Sequence, residues 1–165
     1  MYTYFQECIN KLTFWSQTCK LSISHKKCCI LQVGTVASDC NHDYYIESVP
    51  VVQVDVVKDL GIFVDKSLKF DHHINNVARA ALTRANLIHK CFISKDITVM
   101  TRAFLTYVRP LLEYASCVWS PYLLKHIKRT IESVQKWFTK RLPNISHLGY
   151  TERLKATGLD SLELR

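Results

Sequence analysis

Five aspartates (Asp39, Asp43, Asp55, Asp59 and Asp65), the adjacent His72-His73, and the groups Cys28-Cys29 and Cys40-x-His42 are the side chains that could hold a metal ion. Their spacing argues against it. Two-metal phosphoryl chemistry needs carboxylates that clamp a pair of ions, and these aspartates stand singly, with no Asp-Asp pair anywhere in the chain. They read as turn and strand-edge residues. Adjacent cysteines lack the gap that lets one loop present two sulfurs to a tetrahedral zinc. Adjacent histidines opening a helix point about 100° apart, unlike an i, i+4 ligand pair. No glycine-rich phosphate loop, nucleophile elbow or His-x-x-x-His pattern occurs. Seven cysteines, an odd number with no readable secretory signal, point to reduced, semi-buried thiols.

The cations are more informative. Residues 1–65 hold five Lys/Arg against seven Asp/Glu, a net of −2, while residues 66–165 hold seventeen against seven, a net of +10. This asymmetry suggests a C-terminal module that meets a polyanion, most simply nucleic acid; solvated helix faces with a lysine bias are the alternative. The cations concentrate most clearly between residues 125 and 140. Steps of about 100° put Ile127, Ile131, Val134, Phe138 and Leu142 on one side of a helix and Lys125, Arg129, Lys136 and Lys140 on the other. Glu132, four residues before Lys136, is expected on that polar face as an exposed ion pair worth about 0.2–0.5 kcal/mol.

Elements must hold these side chains in place. The 165 residues, 48% hydrophobic and 22% charged, are those of a globular protein with room for one domain or two small subdomains. Neither a membrane span nor a signal peptide is readable, so an intracellular protein, cytoplasmic or nuclear, is expected. Phe5, Ile9, Leu12 and Ser16, flanked by Cys8 and Trp15, predict an amphipathic helix over Tyr2 to Thr18. Leu21 to Ile23, Cys29 to Val33, Tyr44 to Val49 and Val57 to Val64 read as strands of a small antiparallel sheet, with a turn over Thr35 to Asp43. After Asp65 the period turns helical. Phe70, Ile74, Val77, Ala81, Ala85 and Ile88 form one stripe. Ile97, Met100, Phe104, Val108, Leu111 and Ala115 form a second, started near Ser94 to Asp96 and broken near Arg109 by Pro110. Residues 125–142 form a third, and Thr151 to Ala156 a short fourth helix stopped at Gly158. The expected fold is α+β: a helix and small sheet in residues 1–65, then a helical bundle in residues 66–165. The first part alone would bury little apolar area.

Several motifs then carry a resemblance. Leu12-x-x-Trp15-Ser16, Leu21-Ser22, Lys27-Cys28 and Val33-Gly34 resemble the stretch that follows the active site in jockey-like non-LTR retrotransposon reverse transcriptases. Lys58-Asp59-Leu60-Gly61-Ile62-x-Val64-Asp65, with Leu68-x-Phe70 and His73-Ile74, resembles the next segment of that family. So do Arg109-Pro110-Leu111-Leu112-Glu113-Tyr114-Ala115 with Val118-Trp119-Ser120-Pro121. The series ends with Glu132-x-Val134-Gln135-x-x-Phe138-Thr139-x-Arg141-Leu142-Pro143 and Tyr150-x-Glu152-Arg153-Leu154.

This resemblance implies a palm remnant over residues 1–65 and a thumb over residues 66–165. It matches Lys27, with Lys26 beside it, to a palm lysine near the incoming nucleotide, and Leu60-Gly61 to the turn of a primer-grip hairpin. Glycine suits a tight turn that approaches a nucleic-acid backbone. The family binds Mg2+ through an early palm aspartate and a Tyr-Ala-Asp-Asp-like turn, which would lie upstream of the Trp15 helix. The implied chain holds no metal cofactor and does not polymerise. Its implied partners are the missing upstream palm and fingers region and, through Lys125, Arg129, Lys136 and Lys140, RNA–DNA or DNA duplex bound weakly and without sequence preference; a membrane is not among them. Two other readings compete. One is an inert pseudogene product with an exposed apolar palm face. The other is a helical protein-interaction module anchored by Tyr114, Trp119 and Trp137, for which core packing is the plainer role.

Overall fold

The computed structural model describes residues 2–34, 43–119 and 125–162 and is of the α+β class. Asp39 and Cys40-x-His42 lie outside the described residues, as does most of the expected Thr35–Asp43 turn. The chain divides into two compact units, Met1–Leu68 and Lys69–Arg165.

In the first unit, helix α1 (Tyr2–Thr18) is followed by a single 3-10 turn, His25–Lys27, where a strand was expected to begin nearby at Leu21. Lys20 takes a positive φ of 56°, and Lys27 N–H closes back onto Ser24 O at 3.0 Å, so among the described residues this stretch makes local main-chain bonds. Strands β1 (Cys29–Leu31) and β4 (Val52–Val54) pair in parallel. In place of the small antiparallel sheet expected from sequence, the described residues form three two-stranded sheets, one of them parallel.

The other two sheets are hairpins. Strands β2 (Tyr45–Ile46) and β3 (Val49–Pro50) turn at Glu47-Ser48, and β5 (Val56–Asp59) and β6 (Ile62–Asp65) turn at Leu60-Gly61. Both turns place two residues at positive φ, 48° and 66° in the first and 45° and 89° in the second, the mirror-image turn that matches strand twist. Gly61 meets that demand without strain, whereas Glu47 and Ser48 are uncommon there.

Helix α1 meets β2 through its polar side. The Gln6 amide donates to Tyr45 O at 2.8 Å and accepts from Tyr45 N–H at 3.0 Å, as a peptide group in a neighbouring strand would. Thr13 and Ser16 are the buried positions of this helix, while Phe5, Leu12 and Trp15 are each about half exposed. The apolar stripe predicted as its core face is therefore left largely uncovered.

The second unit is helical: α2 (Asp71–Cys91), α3 (Ile97–Tyr107), α4 (Arg109–Glu113), α5 (Ser116–Trp119), α6 (Lys125–Lys140) and α7 (Tyr150–Thr157). Asp96 caps α3, its carboxylate accepting from Val99 N–H at 3.0 Å. Proline has no N–H to give, and the helix breaks at Val108, so that Pro110 falls in the first turn of α4. The break resets the helical phase. Leu112 takes the core position expected for Leu111, which is half-buried. In α2 the stripe holds except that Ala78 is buried and Val77 only partly so. Gly158 ends α7 in the left-handed conformation at φ 66°.

Candidate nucleic-acid interface

Helix α6 is positioned by its inner face. Ile131, Val134, Phe138 and, just past the helix, Leu142 are buried, and Phe138 stacks on Phe104 at 4.6 Å between ring centroids. With those residues fixed inward, Arg129, Lys136 and Lys140 are exposed along the opposite side, within about a 40° arc at 100° per residue. Lys125 begins the helix, and its side chain and that of Ile127 lie outside the described residues. Over this span α6 rises about 22 Å, roughly two-thirds of a duplex turn. Among the described residues no carboxylate pairs with Arg129, Lys136 or Lys140.

Glu132 does not occupy the exposed position expected of it. It is 3% exposed, accepts from the Tyr150 hydroxyl, and accepts from Leu162 N–H at 2.9 Å. At the edge of the polar arc, its orientation depends on what folds over that edge, and here α7 and the segment after it do so. Gln135, fully buried beside it, donates to Tyr150 Oη and to Asp160 O. Burial, then the Glu132 hydrogen bond, pushes the Tyr150 hydroxyl far above the ordinary tyrosine range. Lys136 Nζ lies 5.0 Å from the Tyr150 ring centroid, and with Lys155 and Asp160 these residues line a groove between α6 and α7.

One feature beside this face escaped the sequence reading. The Arg141 guanidinium stacks on the Trp137 ring, its Cζ 3.8 Å from the ring centroid, and its Nη1 reaches Trp137 O at 3.4 Å. The i, i+4 spacing of Trp137 and Arg141 was the available signal. His89 meets the same tryptophan edge-on at 5.7 Å, and burial, with Lys95 and Arg141 nearby, outweighs a main-chain bond to Phe138 and lowers its pKa. Of the aromatics considered as anchors, Trp119 is buried with Nε1 donating to Tyr114 O at 2.9 Å, Tyr114 is 55% exposed, and Trp137 is half-buried.

The remaining candidates belong to the first unit. Lys26 and Lys27 are exposed on the 3-10 turn, and Leu60 is 82% exposed at the hairpin tip beside Gly61. The aspartates there are dispersed. Asp55 pairs with Lys66 at 3.1 Å, the Asp65 carboxylate accepts from Ser67 N–H and Oγ, and Asp59 is exposed at the end of β5. No group of three or more His, Cys, Asp or Glu converges among the described residues. In the second unit His72 is exposed beside Asn76, while His73 is buried near Trp119 at 6.5 Å. No helix among the described residues is long and apolar enough to cross a membrane.

The chain is similar to an uncharacterised protein of Caenorhabditis elegans, 31% identical over 110 residues that cover 65% of this chain. It spans about half the length of that relative, 55%. No family model matches the sequence, and no solved structure matches it.

Proposed function

We propose that the chain is a catalytically incompetent piece of a non-LTR retrotransposon reverse transcriptase that binds nucleic-acid duplex weakly through helix α6. The observation that carries this is the inward turn of Glu132. It removes the one carboxylate expected on the Arg129–Lys136–Lys140 face, leaving that face cationic, as a phosphate backbone favours. The hairpin tip at Leu60-Gly61 supports the same reading by its exposure and its tight turn. The uncovered apolar side of α1 supports a partner for the first unit, and the upstream palm is the one that the resemblance names.

Binding to a short RNA–DNA hybrid is expected at about micromolar dissociation constants or weaker, without sequence preference and falling linearly with salt on logarithmic axes. Arg129→Glu with Lys140→Glu spares Lys136 on its tyrosine. This double variant is expected to weaken binding by about tenfold or more at low salt and to reduce the salt slope by about 1.8. Unchanged affinity and slope, in a variant whose helicity by circular dichroism is intact, would remove the face as a binding surface.

A second expectation follows from the dispersed aspartates. The protein is expected to incorporate no nucleotide on a primed RNA template with magnesium or manganese. Extension above a no-protein control overturns the catalytically incompetent reading.

A further inference from the structure

We infer that Arg141, stacked on Trp137, is a platform for an unpaired nucleobase at the C-terminal end of the α6 stripe, so that the chain prefers a duplex bearing a single-stranded overhang to a blunt one. This inference rests on the nucleic-acid reading of α6. The guanidinium carbon lies over the indole, 3.8 Å from its centroid, and Nη1 donates to Trp137 O at 3.4 Å. The indole is itself braced by the His89 ring, which also packs against buried Phe138 at 4.7 Å. Arg141 is exposed, and no carboxylate pairs with it among the described residues. The guanidinium thus packs against the indole on one side and, being exposed, offers its planar cation to solvent.

Such a plane matches the π-face of a base. Arginine planes and aromatic rings are the surfaces on which unpaired bases stack, whichever base is present. A paired base offers only its edges to a helix lying alongside the duplex, so the platform serves bases beyond the duplex end. Lys140, the preceding residue, is the last cation of the stripe, about 100° around the helix axis from Arg141. Lys95 donates to His89 O at 2.7 Å and adds positive charge near His89.

The experiment compares a short blunt RNA–DNA hybrid with the same hybrid extended by a few unpaired adenines, for the full chain and for Arg141→Lys. Lysine keeps the charge and loses the plane. The natural chain is expected to bind the overhang probe about fivefold or more tightly than the blunt one, and Arg141→Lys to equalise the two while holding blunt affinity within about twofold and the salt slope unchanged. Salt-dependent binding without overhang preference, or a preference that survives Arg141→Lys, overturns the platform and leaves the stripe standing. Failure of both probes to bind overturns both.

Discussion

Phe138→Ala is expected to destabilise the Lys69–Arg165 unit by about 3–5 kcal/mol, and Phe104→Ala by a similar amount. Both rings are fully buried and stacked at 4.6 Å with 29° between their planes, and His89 covers Phe138 from a second side at 4.7 Å. Removing either leaves a cavity walled by partners on different helices, α2, α3 and α6, which cannot all close on it. A small domain is stable by only about 5–15 kcal/mol, so one such truncation takes a large share. Because the rings touch, the double variant should cost less than the two losses added together. Urea unfolding reads this as a lower midpoint at an unchanged slope. A loss below about 1 kcal/mol at both positions would place the core elsewhere.

That core was legible because its signals are local. Period alone gave the inner face of α6, and Pro110 announced the break after α3 through a missing N–H. Gly61 marked its hairpin turn, but Glu47-Ser48 hid an equal one. Both of those residues sit at positive φ, and neither is the glycine, asparagine or aspartate that normally signals such a turn. The run Tyr44 to Val49 therefore read as one strand. The parallel pairing of β1 with β4 joins residues more than twenty apart, Cys29 with Val52, and no local pattern encodes it. On α1, helical spacing identified an apolar side correctly as a pattern but not whether anything covers it, and Leu12 and Trp15 remain more than half exposed.

The candidate interface divides in the same way. Wheel geometry set Arg129, Lys136 and Lys140 on one face, since their angles follow from spacing. Glu132 lies near 100° from Ile131 on that wheel, about 40° from Lys136, and either side was open to it. What decided its side was Tyr150 and Leu162, which are 18 and 30 residues away. The Trp137–Arg141 stack lay at a readable spacing, but the sequence does not say that His89 would brace the indole.

Glu132→Ala is the second large effect, expected at about 3 kcal/mol, because it takes the acceptor from the Tyr150 O–H and the Leu162 N–H in a part-buried site. An exposed Glu132–Lys136 pair would be worth only about 0.2–0.5 kcal/mol, so the two placements differ several-fold and the measurement separates them. Tyr150→Phe removes one donor from the buried carboxylate and is expected to cost about 1.5–3 kcal/mol. Since Glu132 and Tyr150 share one hydrogen bond, a double-mutant cycle should return a coupling of about 1–3 kcal/mol. The pH dependence has a definite sign. The folded-state pKa of Tyr150 is raised above its ordinary 10.0, by burial first and then by the Glu132 hydrogen bond, so the folded protein holds that proton more tightly than the unfolded chain does. The resulting stabilisation is complete below the ordinary value and is lost as pH climbs from there through the raised one. The stability advantage of the natural chain over Tyr150→Phe should therefore stay level up to pH 10.0 and shrink above it. A Glu132→Ala loss under about 0.5 kcal/mol, or an advantage over Tyr150→Phe that stays level well into alkali, would return Glu132 to the solvent face and restore the carboxylate that interrupts the stripe.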